Sequence, residues 1–275
     1  PTGVLPGNDC DAWALVIRPG ETQLRRLPDH ALDPEVAIFI IHASARLDEE
    51  HNVLINSSIS CKGTVAGNWR EELLRSTEEE KHRRLTEYFG GGVLSHLDLL
   101  SFRFEVLDSF DAPLTLKMEA TAYHQLDRVS NLWIMPLPLP MSLPVQKALF
   151  ASQRYNDIDL DAFFELAPTF ETVDFEVPQG FELVEIPQNL ILHTRFGDYE
   201  LTFEPTATGL RLKRSLVFKQ RFLLDTDFPE FKKFYLAVLD GDDVRLAMKK
   251  VDSRQSTVNS PKPTVKSPNS EVSSQ

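Results

Sequence analysis

Short segments that alternate apolar and polar residues recur along most of the chain and predict half-buried β-strands. Turn residues such as Pro, Gly, Asn and Asp separate these segments, which is typical of antiparallel packing. We therefore expect a mainly β (α+β) fold, made of antiparallel β-sandwich-like units with one or two amphipathic helices packed on them. The predicted strands are 36–41, 53–61, 101–108, 113–123, 129–135, 169–178, 180–187, 190–196, 199–206 and 209–224.

Two segments change to helical spacing. Residues 68–89 contain neither Pro nor Gly, and Asn68 and Gly90 stand where a helix would begin and end. In 228–240 the aromatic and aliphatic residues fall on one stripe, which predicts a helix packed on the core. Asp225, Thr226 and Asp227 offer N-caps for this second helix.

The segment MPLPLPMSLP at 135–144 has four prolines in ten residues. Proline cannot donate to a sheet ladder, so we predict that this segment crosses from one structural unit to the next. The last residues carry Ser, Pro, Lys and Asn without any aromatic, which predicts disorder. The expected organisation is a connecting segment at 1–29 after an absent upstream domain, β-rich domains at 30–144 and 145–250, and a disordered tail at 251–275.

Composition narrows the classes of partner. The net charge of −12 and the pI of about 5.1 argue against nucleic acid and anionic lipid, which need clustered Lys and Arg. No apolar run approaches the roughly 20 residues that span a bilayer. The chain opens on Pro1 and Thr2, so we expect a processed product or a segment of a longer protein.

The two cysteines, Cys10 and Cys61, raise the possibility of a thiol enzyme. Cys10 lies between two aspartates, which would raise the pKa of its thiol, and no helix follows it. His42 and His51 could serve as a base, but no spacing supports either. Cys10 is thus a weak catalytic candidate, and Cys61 is expected to face the core. Whether the two thiols form a disulfide is left open.

The sequence holds no recognisable cofactor or metal motif. The patterns CxxC, HExxH, GxSxG, GxGxxG and the Walker A loop do not occur. The acidic runs 48–50 and 240–243 lack the order of an EF-hand loop and are expected to be solvated turns. We therefore predict no catalytic residue beyond the candidate Cys10, no cofactor and no metal.

The three tryptophans Trp13, Trp69 and Trp133 could form a platform on which sugars stack. Because each is flanked by apolar positions, we expect them in the core instead. A carbohydrate- or surface-binding adhesion module remains an alternative.

Several stretches together resemble the C-terminal region of bacterial transglutaminase-like superfamily proteins. In that family a β-rich domain of unknown function precedes a transglutaminase-like, papain-fold domain, and a second β-rich region follows it. The likeness is strongest over 152–240. It is carried by PTGVLPGNDCDAWALVI (1–17), RRLPDH (25–30), GTVAGNWREELLR (63–75), SQRYNDIDLD (152–161), VDFEVPQGFELVEIPQNL (173–190) and FKQRFLLDTDFPEFKKFYLAVL (218–239).

The resemblance implies that the family's catalytic Cys, His and Asp would precede Pro1, so no site residue is carried over. It implies a non-catalytic accessory or interaction module, structural or substrate-positioning, in a secreted, periplasmic or cell-surface protein. The implied partners are the upstream transglutaminase-like domain of the same protein and envelope or protein substrates. A stand-alone thiol enzyme using Cys10 is the contrary hypothesis.

Overall fold

The structure, a computed structural model, describes residues 12–15, 17–20, 23–27, 32, 35–94, 96–109 and 112–251. The predicted tail after 251 and most of the connecting segment, including Cys10, lie outside these ranges. Three α-helices occur in the described ranges: α1 (Thr64–Leu74), α2 (Glu78–Phe89) and α3 (Phe228–Asp242). The strands are β1 (Trp13–Leu15), β2 (Leu24–Arg26), β3 (Ile38–Leu47), β4 (Val53–Lys62), β5 (Leu97–Glu105), β6 (Leu114–Ala122), β7 (Asp127–Val129), β8 (Leu132–Pro136), β9 (Ile158–Asp159), β10 (Thr169–Glu176), β11 (Phe181–Leu183), β12 (Leu190–His193), β13 (Gly197–Pro205), β14 (Gly209–Phe218), β15 (Phe222–Leu223) and β16 (Arg245–Lys250).

Eight strands form one sheet in the order β12-β13-β14-β10-β3-β4-β6-β5. Every neighbouring pair in this sheet is antiparallel except β3 and β10, which run parallel. A smaller sheet has the order β11-β16-β8-β7, and β1-β2 and β15-β9 are separate two-stranded pairs. The prediction of a mainly β, α+β fold with antiparallel sheets and packed helices is confirmed.

The large sheet has one covered face and one open face. Alternate residues of β3, such as Phe39, Ile41 and Ala43, are buried. The residues that alternate with them, such as His42 and Ser44, are exposed. The neighbouring strands continue the same two faces, because paired residues point to the same side of a sheet. The core therefore lies on one side of the sheet, and a broad polar surface lies on the other.

Helices α1 and α2 cover the part of the sheet formed by β3 to β6. The prediction of a single helix at 68–89 is wrong, because the helical conformation is interrupted between Leu74 and Glu78. Thr77 caps α2 by accepting a hydrogen bond from the N–H of Glu80, whose carboxylate accepts one from the N–H of Thr77. Asn68 lies inside α1 instead of capping it, while Gly90 ends α2 as predicted.

Helix α3 and the smaller sheet cover the remaining strands. The predicted stripe of α3 is confirmed, since Phe228, Phe231, Phe234, Tyr235 and Val238 are buried. The 135–144 segment runs between these layers, with Leu137, Leu139 and Leu143 in the core. The expected crossing is thus part of the interior.

Strands from both sides of the predicted domain boundary at residue 144 belong to one sheet. Strand β3 comes from the first predicted domain and β10 from the second, and they pair over eight residues from Thr169 to Glu176. The division into two domains at 144 stays a prediction.

Candidate functional site

Cys61 is a free thiol buried in β4, as expected. Burial raises the pKa of the Cys61 thiol to about 12, and the nearby guanidinium of Arg70 offsets only part of this effect. A thiol with such a pKa stays protonated at neutral pH, which argues against Cys61 as a nucleophile. Cys10 lies outside the described residues, and its candidacy stays a prediction.

The two histidines considered as bases have other surroundings. His42 is exposed on the open face of the sheet, whereas the neighbouring strand turns Cys61 toward the covered face. His51 lies in the turn between β3 and β4, and its ring stacks on Trp133 with centroids 5.1 Å apart. The described structure therefore brings neither histidine to the Cys61 thiol.

The tryptophan prediction is wrong for Trp13, whose side chain is 67% exposed on the β1-β2 hairpin. Trp69 and Trp133 are partly buried and pack against the two core clusters. Trp69 contacts Phe39, and Trp133 contacts Phe181. These separate neighbours do not make a shared platform for sugar stacking.

The acidic runs also differ from one another. Asp48 closes a solvated turn, accepting hydrogen bonds from the N–H groups of Glu50 and Asn52. Asp242, expected in a solvated turn, is instead only 1% exposed. Within the described residues no group of three or more His, Cys, Asp or Glu side chains is arranged to hold a metal ion.

Asp242 belongs to a buried ionic network centred on Arg214 of β14. The guanidinium of Arg214 donates to both carboxylate oxygens of Asp242 at 2.6 and 2.8 Å and to Glu171 at 3.0 Å. The hydroxyl of Tyr199 donates to Asp242 at 2.9 Å. Burial alone would lower the pKa of Arg214, but the charges of Asp242 and Glu171 outweigh it and raise that pKa, so Arg214 stays charged.

This network binds the proline-rich crossing. Prolines have no N–H, but Met141 and Leu143 between them do. Met141 is partly buried and Leu143 is buried, so both N–H groups need partners within the protein. The N–H of Met141 donates to Glu171 at 3.0 Å, and that of Leu143 donates to Asp242 at 2.9 Å. The buried carboxylates therefore satisfy the backbone of the crossing as well as Arg214.

A cleft of about 350 Å³ lies directly above this network. Its walls come from the end of α2, the proline-rich crossing and the segment that leads into β10. We call it the Glu165 cleft, after the carboxylate on its wall. Its lining includes Tyr88, Pro140, Met141, Phe163, Phe164 and Glu165, with Arg214 at its base.

Glu165 is exposed to solvent, yet it sits in a concave, largely apolar setting. This enclosure raises the pKa of Glu165 to about 7. A hydrogen bond that the N–H of Ala167 donates to the Glu165 carboxylate at 3.3 Å acts in the opposite direction, because it favours the charged form. Burial, followed by the charge of Glu165, raises the pKa of the Tyr88 phenol. A carboxyl with a perturbed pKa in an apolar cleft is typical of functional sites.

The sequence interpretation missed Glu165, Glu171, Arg214 and Asp242. Glu171 and Arg214 occupy positions in β10 and β14 where alternation calls for apolar side chains. A charged residue at such a position was the available signal, since a buried charge needs a partner. Glu165 precedes β10 in an irregular segment and carried no comparable signal.

A neighbouring hollow of about 450 Å³ between α1 and α2 is larger than the Glu165 cleft. Its charged groups are paired on the surface, in the ion pairs Arg84–Glu72 and Arg83–Glu87. Exposed ion pairs of this kind leave little unsatisfied charge for a ligand. The Glu165 cleft is therefore the better candidate for a small polar ligand.

The β1-β2 hairpin presents a second candidate surface. Leu15 pairs with Leu24, and Trp13 lies two residues from Leu15 on the same side of the hairpin. These three side chains are 57–67% exposed, and the following Ile17 is 95% exposed. We call Trp13, Leu15 and Leu24 the apolar hairpin face.

Comparison with known families concerns the second half of the chain. Residues 134–248 match the model of DUF3858. That family is described as a domain of unknown function with a solved structure. The matched region runs from β8 to β16 and holds the whole Arg214 network. It covers less than half of the chain, and the description of the family names no activity. Among curated proteins no match was found. Within the described ranges, no helix has the length and apolar character needed to cross a membrane.

Proposed function

We propose that this chain is a non-catalytic interaction module that accompanies a transglutaminase-like domain encoded before Pro1. The observation that carries the proposal is the apolar hairpin face. It lies in the segment that resembles the exit from such a domain. The module would be structural or would position substrate proteins, and the same resemblance suggests a secreted, periplasmic or cell-surface protein.

The exposure of the apolar hairpin face argues for a covering partner. Trp13, Leu15 and Leu24 are adjacent, and adjacent exposed apolar side chains mark interaction surfaces more often than single ones do. An isolated two-stranded hairpin is marginal in water. Among the described strands β1 and β2 form a separate pair, so packing against a neighbouring domain would stabilise the hairpin.

A surface-binding adhesion module is the second candidate, favoured by the open face of the large sheet. A shallow depression of about 680 Å³ there is lined by small polar residues and longer charged ones, among them Ser44, Asn56 and Lys117. Such groups can hydrogen-bond sugar hydroxyls. Binding to a glycan array that is lost in Asn56→Ala would favour this candidate over the first.

The upstream coding sequence gives the first test. The proposal requires that a transglutaminase-like domain with a catalytic Cys, His and Asp is encoded before Pro1. The absence of such a domain would overturn the proposal. If it is present, that domain and the 275-residue chain can be produced separately and mixed in a calorimeter. We expect saturable binding by the wild-type chain and a loss of about tenfold or more in affinity for the variant Trp13→Ser/Leu15→Ser/Leu24→Ser.

The matched control is Val145→Ser/Tyr155→Ser, which removes exposed apolar side chains outside the hairpin. Val145 is 65% and Tyr155 is 84% exposed. The control should bind like the wild type. Equal weakening in both variants, or no binding at all by the wild-type chain, would count against docking through the hairpin.

A further inference from the structure

We propose that the Glu165 cleft binds an alkylammonium group, as carried by the lysine side chain of a polypeptide. This inference does not rest on the hairpin or on a transglutaminase-like partner, because the cleft lies in a different part of the structure and is argued from its own lining.

The shape and lining of the cleft suit a lysine side chain. Its volume of about 350 Å³ is at the small end of ligand sites. Pro140, Met141 and Phe163 offer apolar surface to the methylene groups. The ring of Tyr88, which packs against Trp69 and Phe89 but is 42% exposed and lines the cleft, would give the ammonium a cation–π contact.

The charge of the cleft favours a cation. Arg214 is the cation among the described residues that line it, and its guanidinium is already engaged by Glu171 and Asp242. Glu165 receives hydrogen bonds from the backbone and repulsion from Asp161, and no ion pair to Glu165 is found within the described residues. An incoming ammonium would supply the missing counter-charge.

The other charges near the opening do not alter this balance. Glu87 lies on the wall from α2 and forms an exposed ion pair with Arg83 at 3.3 Å. Asp161, from the short helical turn before Glu165, repels the Glu165 carboxylate but is itself paired with Arg221 at 3.5 Å. Since Glu87 and Asp161 are each paired with an arginine, Glu165 is the carboxylate that decides the choice of ligand. It would repel an anion and attract a cation, and its apolar setting strengthens that attraction.

The test is a titration of the full ¹⁵N-labelled chain, followed by NMR, with Nα-acetyl-lysine methylamide. The neutral control ligand is Nα-acetyl-norleucine methylamide, which has the same chain without the ammonium. We expect saturable shifts at the amides of Gly91, Gly92 and Ala167 with the lysine compound, and at least about tenfold weaker binding of the norleucine compound.

Two variants and one control locate the site. Glu165→Gln should lower the affinity for the lysine compound about tenfold, and Tyr88→Leu should lower this affinity to a smaller extent. Glu185→Gln removes an exposed carboxylate elsewhere and should leave binding unchanged. The amide spectrum of each variant shows whether its fold is kept, so Tyr88→Leu still tests the site if Glu165→Gln unfolds.

Three results would overturn the proposal. They are equal binding of the norleucine compound, no saturable shift with the lysine compound, and unchanged lysine binding in a folded Glu165→Gln chain. Loss of hairpin docking, by contrast, would leave this titration unaffected, so the two proposals fail separately.

Discussion

Arg214 of β14 and Asp242 at the end of α3 form a two-pronged ion pair at 2.6 and 2.8 Å, with both side chains almost fully buried. The pair links the large sheet to the helix that covers it. Because Asp242 also accepts a hydrogen bond from the N–H of Leu143, the same carboxylate binds the proline-rich crossing. Three parts of the core therefore meet at one salt bridge.

Removing the Arg214 cation from this network should destabilise the folded protein. Arg214→Met leaves the carboxylates of Glu171 and Asp242 buried without their partner, and we expect the free energy of unfolding to fall by about 3–5 kcal/mol. Urea unfolding followed by circular dichroism measures this loss.

The same strand provides a matched control. Arg211 binds Asp174 with similar geometry, at 2.6 and 3.0 Å, but on the exposed face of the sheet. Arg211→Met should cost no more than about 1 kcal/mol, because solvent screens an exposed pair. Similar losses in the two variants would show that burial of the Arg214 network does not matter.

The thiol of Cys61 should be inert in the folded protein. In a Cys10→Ser chain, Cys61 is the remaining thiol, and its pKa of about 12 together with its burial predicts negligible alkylation by iodoacetamide at neutral pH. Labelling should appear when urea unfolds the chain.

The reciprocal Cys61→Ser chain reports on Cys10. Fast alkylation there would revive the stand-alone thiol enzyme, whereas slow alkylation agrees with an accessory module. Fast alkylation of the folded Cys10→Ser chain would instead contradict the buried environment described for Cys61.

The stability of the protein should depend on the protonation of Glu165. Its pKa rises from the ordinary 4.5 to about 7 on folding, so the folded state binds this proton more tightly than the unfolded state. The stabilisation is fully present below about pH 4.5 and is lost as the pH rises through about 7.

Glu165→Gln removes this titration. We expect the free energy of unfolding of the wild type, relative to this variant, to fall by about 1 kcal/mol between pH 4.5 and 8, a value reduced because solvent reaches the carboxyl. Glu171 also has a raised pKa but is present in both chains, so the comparison isolates Glu165. A difference that stays constant with pH would contradict the assignment.

Much of the sheet could be predicted because alternation is a local property. The inward positions of β6, including Leu114 and Met118, follow directly from the sequence, as do the buried residues of α3. The break between α1 and α2 was also encoded locally, in the capping box of Thr77 and Glu80. The continuous charged pattern of 68–89 concealed it.

The ionic network could not be predicted in the same way. Glu171 of β10 and Arg214 of β14 are direct partners on neighbouring strands, and the pairing of these strands depends on the whole sheet. Asp242 lies at the end of a helix that is distant from both in sequence. Trp13 illustrates the opposite failure. Its apolar neighbours predicted burial, but the hairpin that carries it pairs with no other strand of the part of the chain that the structure describes.

Docking of the apolar hairpin face is measured most directly by hydrogen–deuterium exchange with mass spectrometry. The comparison is between the 275-residue chain and a longer protein that includes the sequence encoded before Pro1. We expect the amides of β1 and β2 to exchange at least about tenfold more slowly in the longer protein, while those of the edge strand β12 stay unchanged. Equal exchange of β1 and β2 in the two proteins would contradict the proposed interaction module.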